Sequence, residues 1–386
     1  MPEVFAVSLL LTLTLHKEEG PLLFWRELVA RLAEGLFRYA GRSVSRMAPT
    51  ETPVRVLEIT GLGRSGSTIL DLVLGNHPHI ESVGEVGNIF VSDWISRESL
   101  HGIDPENRRL PICTCDKRLD VLYVDTPDEA CPFWSSVRRE WVERTDPRSI
   151  ESYPELRDDF ERTRPATLFQ QFLRLLYQER RPSARFRSYA RLTRSFFESI
   201  RAVSGKPIIV DSTKSPVRAF ALSITPGIDL YMVHLVRDGR GVATSLRKTF
   251  KKDVQAGIMW DHRGHPLWKA VARWITLNLA TEWVCSRLGP DRAMRLRYED
   301  FVADPRAALE RIGSLIELDF TEVAEAASSG RAMRAGHNVG GNRTKKSGYI
   351  TLRADAQEWR TALSPTERRL SWALMGWLMH RYGYKR

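Results

Sequence analysis

Cysteine is scarce, with four in 386 residues. That excludes a disulfide scaffold for a chain this long. Long apolar runs are scarce too. Val4 to Leu15 is an apolar run of about a dozen residues, whereas a membrane span needs about 20. No Lys or Arg precedes that run, so a secretory signal is poorly supported. Internal repeats and low-complexity tracts are missing. So are zinc-finger, helix-turn-helix and RNA-binding signatures, which leaves the formal net charge of +11 without a nucleic-acid reading. Arg and Lys recur at separate places, beside glycines and strand ends. The charge is therefore read as anionic ligand binding plus an ordinary basic surface. What the chain does have is 42% hydrophobic and 27% charged residues, the balance of a soluble globule. Its length suits one large α/β domain with insertions, or two domains.

The most informative absence is one lysine. Val54 to Thr60 (VRVLEIT) is a β-branched, apolar run that predicts a buried strand. Gly61-Leu62-Gly63-Arg64-Ser65-Gly66-Ser67-Thr68 follows, and Ile69, Leu70, Leu72, Val73 and Leu74 then form an apolar helical face. Strand, glycine-rich turn and helix place backbone N–H groups and a helix N-terminus around one anion. The spacing is that of a triphosphate-binding loop, G-x-x-x-x-G-K-[ST], but Ser67 stands where the lysine belongs. Without that lysine the main hold on the β/γ-phosphates is gone. No Walker B-like carboxylate is evident to hold Mg²⁺. The cation has moved to Arg64, whose guanidinium suits an oxyanion gripped by two parallel N–H bonds. The loop is therefore read as a site for a phosphate or sulfate ester.

Further strands are predicted at Pro207–Asp211, Leu230–Val236 and Ala293–Tyr298. Helices are predicted at Leu168–Arg180, Tyr189–Val203, Gly241–Lys248 and Trp260–Leu288. Asp304-Pro305 should open another, to about Glu317, and a last one should run from about Thr366 to Tyr382. This alternation predicts an α/β, P-loop-like three-layer fold with a mostly parallel central sheet. Helical insertions and an N-terminal amphipathic helix would be added to it. Residues 1–53 are read as a peripheral segment and 54–386 as the main domain. Residues 92–165, polar and broken by prolines, are read as an irregular insertion or substrate lid. Open parallel sheets bind ligands at the carboxyl ends of their strands. Arg64, Lys214 and Arg237 each closely follow a predicted strand, so three cations should converge at one edge if those strands are neighbours.

These residues also carry a family likeness. The loop at 61–68, followed by His77-Pro78 and Gly84-Glu85, resembles the 5′-phosphosulfate loop of sulfotransferases that use 3′-phosphoadenylyl sulfate (PAPS). The bacterial and tyrosylprotein-type branches are the most similar. Arg237-Asp238-Gly239-Arg240, with Ser245 eight residues after Arg237, resembles the family's 3′-phosphate segment. The resemblance implies that Arg64, Ser65, Gly66, Ser67 and Thr68 hold the phosphosulfate, and that Arg237 and Ser245 hold the ribose 3′-phosphate. Tyr298-Glu299-Asp300 resembles a segment whose Tyr reaches the nucleotide base, although a Tyr at a strand end is equally a core residue. Gly340-Gly341-Asn342-Arg343 resembles the late segment that closes over the cofactor. It implies contacts from Asn342 and from either Arg343 or Lys345.

The implied reaction is in-line transfer of a sulfuryl group from PAPS to a hydroxyl, less readily to an amine. The product nucleotide would be 3′,5′-adenosine bisphosphate, and no metal would be required. Arg64 and Lys214 would take up charge, and Glu85 would remove the acceptor proton. The alternative for Glu85 is a structural pair with a site arginine. His77, His79 and His262 are substitute bases. The tryptophans from Trp260 to Trp283 either line an acceptor pocket or belong to the core. The resemblance covers about Val54 to Arg343, and the first 50 residues and 92–165 only poorly.

Cys113, Cys115 and Cys131 cluster at a spacing that would suit three ligands of an incomplete zinc site. No fourth ligand is evident, and His337 has no assigned role. Cys131-Pro132-Phe133-Trp134 resembles a short segment of some bacterial sulfotransferases, and the cluster is read as a structural loop. Cys285, inside a helical pattern, reads as a core thiol. Leu22 to Tyr39 is amphipathic and suits packing on the domain, a membrane-surface contact or a dimer contact, with packing preferred. The expectation is a cytoplasmic enzyme with a small-molecule, lipid or peptide acceptor and no nucleic-acid partner. Membrane association through residues 1–40 and homo-oligomerisation stay open. Two other classes remain: a P-loop kinase or nucleotide hydrolase, and a non-catalytic nucleotide- or membrane-surface-binding module.

Overall fold

Val54–Thr60 forms the first strand, β1. Val54 and Val56 face one hydrophobic cluster and Leu57 and Ile59 face another. Burial on both faces marks a central strand of a parallel sheet. The computed structural model describes residues 52–91, 113, 131–249, 251, 263–339, 349–350, 352 and 359–386. The readings of residues 1–51, Cys115, Trp260, His262, Asn342, Arg343 and Lys345 lie outside the described residues.

The sheet contains β1, β2 (Ile80–Gly84), β3 (Ile208–Asp211), β4 (Ile228–Val236) and β5 (Ala293–Arg297). Their spatial order is β2-β3-β1-β4-β5, and every neighbouring pair is parallel. Helices cover both faces, giving an α/β fold with a parallel central sheet. A separate two-stranded antiparallel sheet pairs β6 (Met333–Arg334) with β7 (Tyr349–Ile350). Because the five strands run one way, the loops after β1, β2, β3 and β4 all leave the same end of the sheet. That end is where Arg64, Glu85, Lys214 and Arg237 lie.

Two readings from sequence need correction. The strand β2 was not foreseen, because IESVG carries polar residues at its second and third positions. Their partners are remote. Lys206 pairs with Glu81 at 2.9 Å, and the Ser82 hydroxyl donates to buried Asp71 at 2.5 Å. The second correction concerns 92–165. From residue 131 onward this stretch is helical, with helices Pro132–Arg144, Pro147–Glu151 and Tyr153–Phe160. The prolines that read as breakers sit in the first turns, where no intrahelical N–H is needed. Trp134, Trp141 and Tyr153 from these helices are fully buried in the core.

The helix of the second half of the core, Ala184–Ser204, starts earlier than its apolar pattern suggests. The Ser183 hydroxyl accepts from the Phe186 N–H and begins it there. The Trp-rich helix is Leu267–Leu288. Trp274 is fully buried and Trp268 exposed, so the described tryptophans of this helix divide between core and surface. No helix among the described residues is long and apolar enough to cross a membrane.

Candidate active site

The glycine-rich loop runs from the end of β1 into the helix Ser67–Leu74. Gly66 is the helix N-cap, in the left-handed region at φ 91°, and no side chain caps the helix. The first-turn N–H groups therefore point towards the mouth of the loop. Only glycine fits here. A Cβ on Gly66 would lie 2.2 Å from a ring carbon of Tyr298. Arg64 adopts φ 77°, a left-handed conformation that is costly for a residue with a side chain. Ser65, Ser67 and Thr68 are buried.

The loop meets the end of β4 directly. Arg64 Nε donates to Ser245 Oγ at 3.1 Å, and an Arg237 terminal nitrogen donates to the Arg64 carbonyl at 3.1 Å. The Arg237 guanidinium lies over the Tyr298 ring, 5.0 Å from its centre. Arg64, Arg237, Ser245 and Tyr298 thus form one patch, although 234 positions separate the first from the last. Tyr298 is a buried wall residue, the first of the helix Tyr298–Ala303. Arg237 does not pair with its neighbour Asp238. Asp238 caps the helix Gly239–Arg247 and takes two hydrogen bonds from Arg240, whose guanidinium lies on the Trp359 ring. Glu299 accepts from the Asp238 N–H and from the Tyr384 hydroxyl. Trp274 Nε1 donates to the Arg237 carbonyl. The Arg237 backbone is thereby held from two sides, while its side-chain Nε is buried with no hydrogen-bond partner among the described residues. A buried, unsatisfied guanidinium nitrogen is the chemistry an anion would complete.

The second patch joins β2 and β3. Lys214 Nζ is ion-paired with Glu85 Oε1, so the two are in contact rather than placed for separate jobs. Among the described residues this lysine is an ion-pair partner of Glu85. Lys214 also has a left-handed backbone, at φ 65°. Gly84 supports Glu85 from the other side. It turns the chain at φ 71°, and a Cβ there would meet the Val339 carbonyl oxygen at 2.4 Å. The Glu85 N–H donates to that same carbonyl at 2.7 Å.

Within the fold lies a buried ionic network that sequence reasoning missed. Arg218 grips Asp211 through two nitrogens and pairs with Glu161 at 2.5 Å, and Arg157 also pairs with Glu161. Burial alone would raise the Glu161 pKa, but Arg157 and Arg218 hold it below the ordinary value. Glu58 is fully buried on β1 beside Asp211 on β3. Burial first, and the Asp211 carboxylate next, push its pKa well up. As an ionised acceptor Glu58 finds no donor among the described residues. With a proton it becomes a donor towards Asp211. The network is then balanced, with two carboxylates against two guanidiniums. No local sequence signal marks it, because the members come from β1, β3 and two separate helical segments.

Other candidates fall away. His77 Nε2 lies 2.9 Å from the Asp319 carbonyl, and its Nδ1 accepts from the His79 N–H. Both histidines precede β2, at the opposite end of that strand from Glu85, so neither serves as a base there. A cavity of about 490 Å³, lined by His77, Lys206 and His337 among others, opens near the same end. Of the candidate residues only His77 lines it, and the phosphate-type segments and Glu85 do not. The cysteine loop gains a partner that sequence did not supply. The His337 ring reaches the thiols of Cys113 and Cys131. Burial pushes the Cys285 thiol up to about 12, as suits an unreactive interior thiol.

The model of a sulfotransferase family matches residues 133–322. That stretch includes Lys214, Arg237, Ser245 and Tyr298, and it begins after the glycine-rich loop and Glu85. No curated protein matches the chain. Solved structures resemble it at low identity. The sulfotransferase domain from the Synechococcus PCC 7002 olefin synthase is 18% identical, with 89% of this chain and 99% of that chain covered and a TM-score of 0.42. The sulfotransferase domain from the curacin biosynthetic pathway is 16% identical, with 86% and 99% covered and a TM-score of 0.41. The sulfotransferase STF9 from Mycobacterium avium is 14% identical, with 88% and 78% covered and a TM-score of 0.38.

Proposed function

We propose that this chain, which belongs to the sulfotransferase family through residues 133–322, takes its sulfuryl group from PAPS and passes it to a hydroxyl of its acceptor. One observation carries the reading. The phosphosulfate-type loop and the 3′-phosphate-type segment are joined through Arg64–Ser245 and Arg237–Arg64 contacts. A donor bearing anions at both ends needs such a pair of grips side by side. The buried Arg237 Nε, without a hydrogen-bond partner among the described residues, fits that need. By the family resemblance, Asn342 with Arg343 or Lys345, outside the described residues, would supply the remaining contacts.

When bound, PAPS supplies an activated sulfuryl group and a phosphate leaving group. The protein's share is alignment and charge. Arg64 and the uncapped helix N-terminus at Ser67 and Thr68 stabilise charge on the departing phosphate. Tyr298 walls the nucleotide side of the patch. Glu85 accepts the acceptor's proton, and Lys214 keeps that carboxylate in place and lends positive charge to the transferring group. The acceptor is a small molecule, a lipid or a peptide.

Radiosulfur transfer from labelled PAPS to a panel of phenols, aliphatic alcohols and tyrosyl peptides tests the reaction. The expected result is a labelled acceptor together with stoichiometric 3′,5′-adenosine bisphosphate. Glu85→Gln should cut turnover by about 10²–10⁴-fold, the usual worth of a general base, while binding of the bisphosphate is retained. Full turnover in that variant would remove Glu85 from the chemistry.

A further inference from the structure

Cys113, Cys131 and His337 come from three segments with no local relation, and 206 positions separate Cys131 from His337. Their ligand atoms all lie within 4.8 Å of one another. Both cysteines are buried, at 3% and 0% exposure. Cys113 Sγ is 3.7 Å and Cys131 Sγ 3.5 Å from the same atom, His337 Nδ1.

We infer that these three side chains bind a structural zinc ion. Zinc–sulfur bonds of about 2.3 Å and a zinc–nitrogen bond of about 2.0–2.1 Å, at the tetrahedral angle, put each sulfur about 3.6 Å from the nitrogen. The two observed separations bracket that value. Hydrogen bonding alone does not account for the arrangement. In either tautomer Nδ1 of a neutral imidazole carries one lone pair or one N–H, enough for one well-aligned hydrogen bond to one of the two sulfurs. Two sulfurs converging on it at nearly equal distance need a shared centre. Two thiolates and an imidazole form a donor set suited to zinc.

The surroundings fix the His337 ring and backbone. Phe133 stacks on the His337 ring at 4.4 Å and 12°. Trp134 Nε1 donates to the His337 carbonyl at 3.1 Å. The residues directly after Cys131 therefore lock the partner of Cys131. The next two residues continue into the sheet. Asn338 Nδ2 donates to Ser82 Oγ, and Val339 exchanges backbone hydrogen bonds with Val83 and Glu85. The ion would thus fasten residues 337–339 to the end of β2, and so brace the backbone of Glu85 without touching any reacting atom.

Binding releases the two thiol protons and leaves the metal oxidation state unchanged. The test is metal analysis of the full chain purified without chelator, with His337→Ala, Cys131→Ser and, as control, Cys285→Ser. About one zinc per chain is expected in the native protein and in Cys285→Ser, with loss in the other two. Should those two fail to fold, His337→Cys keeps a ligand and should keep the metal. Cobalt(II) exchanged into the native chain should show thiolate-to-cobalt charge transfer and intense tetrahedral bands. Native protein that carries no metal and gives no such cobalt spectrum overturns the inference. So does a Cys113–Cys131 disulfide found by mass mapping, or zinc retained in both His337→Ala and Cys131→Ser.

Discussion

Single residues here carry more than their types announce. Arg64 and Lys214 both occupy the left-handed region, a conformation usually left to glycine because of its steric cost. Nothing in either local sequence shows that. The spacing of Arg64 within its loop was legible, as was the position of Arg237 after a strand. Their mutual contact was not, because it depends on β1 and β4 being neighbours. Glu58 is the sharpest case. In sequence it is one polar residue in an apolar strand; in the fold it is a buried carboxyl facing Asp211. Its folded pKa is raised above the ordinary 4.5. The folded state therefore holds a proton that the unfolded state releases above about that pH, and stability falls as pH rises. Glu58→Gln keeps a donor towards Asp211 and has no proton to lose. Its stability relative to the native chain should grow by about 1.4 kcal/mol per pH unit above about 4.5 while native Glu58 stays protonated. Urea unfolding at several pH values reads this directly, and a pH-independent difference would contradict it.

At the scale of elements, β1, β3, β4 and β5 were visible as apolar runs, and the helices at 168–180 and 305–316 as periodic ones. β2 was hidden because its polar residues are satisfied by Lys206 and Asp71 from elsewhere in the fold. The helices after residue 131 were hidden because proline at a first turn looks the same as proline in a loop. The glycine-rich loop works as an element only against the helix that begins at Tyr298. That contact makes a clear prediction. Gly66→Ala would place a methyl 2.2 Å from the Tyr298 ring and force a left-handed alanine. Loss of bisphosphate binding by at least about tenfold is expected, with a stability cost on the order of 1–3 kcal/mol. Calorimetric titration and thermal unfolding of the variant check both. Native-like binding would show that the loop and Tyr298 are not coupled.

For the whole molecule, the parallel sheet is what places scattered motifs at one end of the fold. Its four loops at one end bring together cations that lie 150 to 173 positions apart, counted from Arg64 to Lys214 and to Arg237. The family match begins only at residue 133, so the loop's membership of the site rests on these contacts. The missing lysine at Ser67 then separates two kinds of ligand. On the proposed reading a triphosphate with magnesium would lack its usual grip, whereas a nucleotide with anions at both ends would meet Arg64 and Arg237 together. The most direct measurement is calorimetric titration of the full chain with 3′,5′-adenosine bisphosphate and, separately, with Mg·ATP, repeated for Arg237→Ala. The bisphosphate should bind at least about tenfold more tightly than Mg·ATP, and the variant should lose about 10- to 100-fold of that affinity, the worth of a charge-assisted hydrogen bond. Tighter binding of Mg·ATP, or bisphosphate affinity unchanged in Arg237→Ala, would contradict the account.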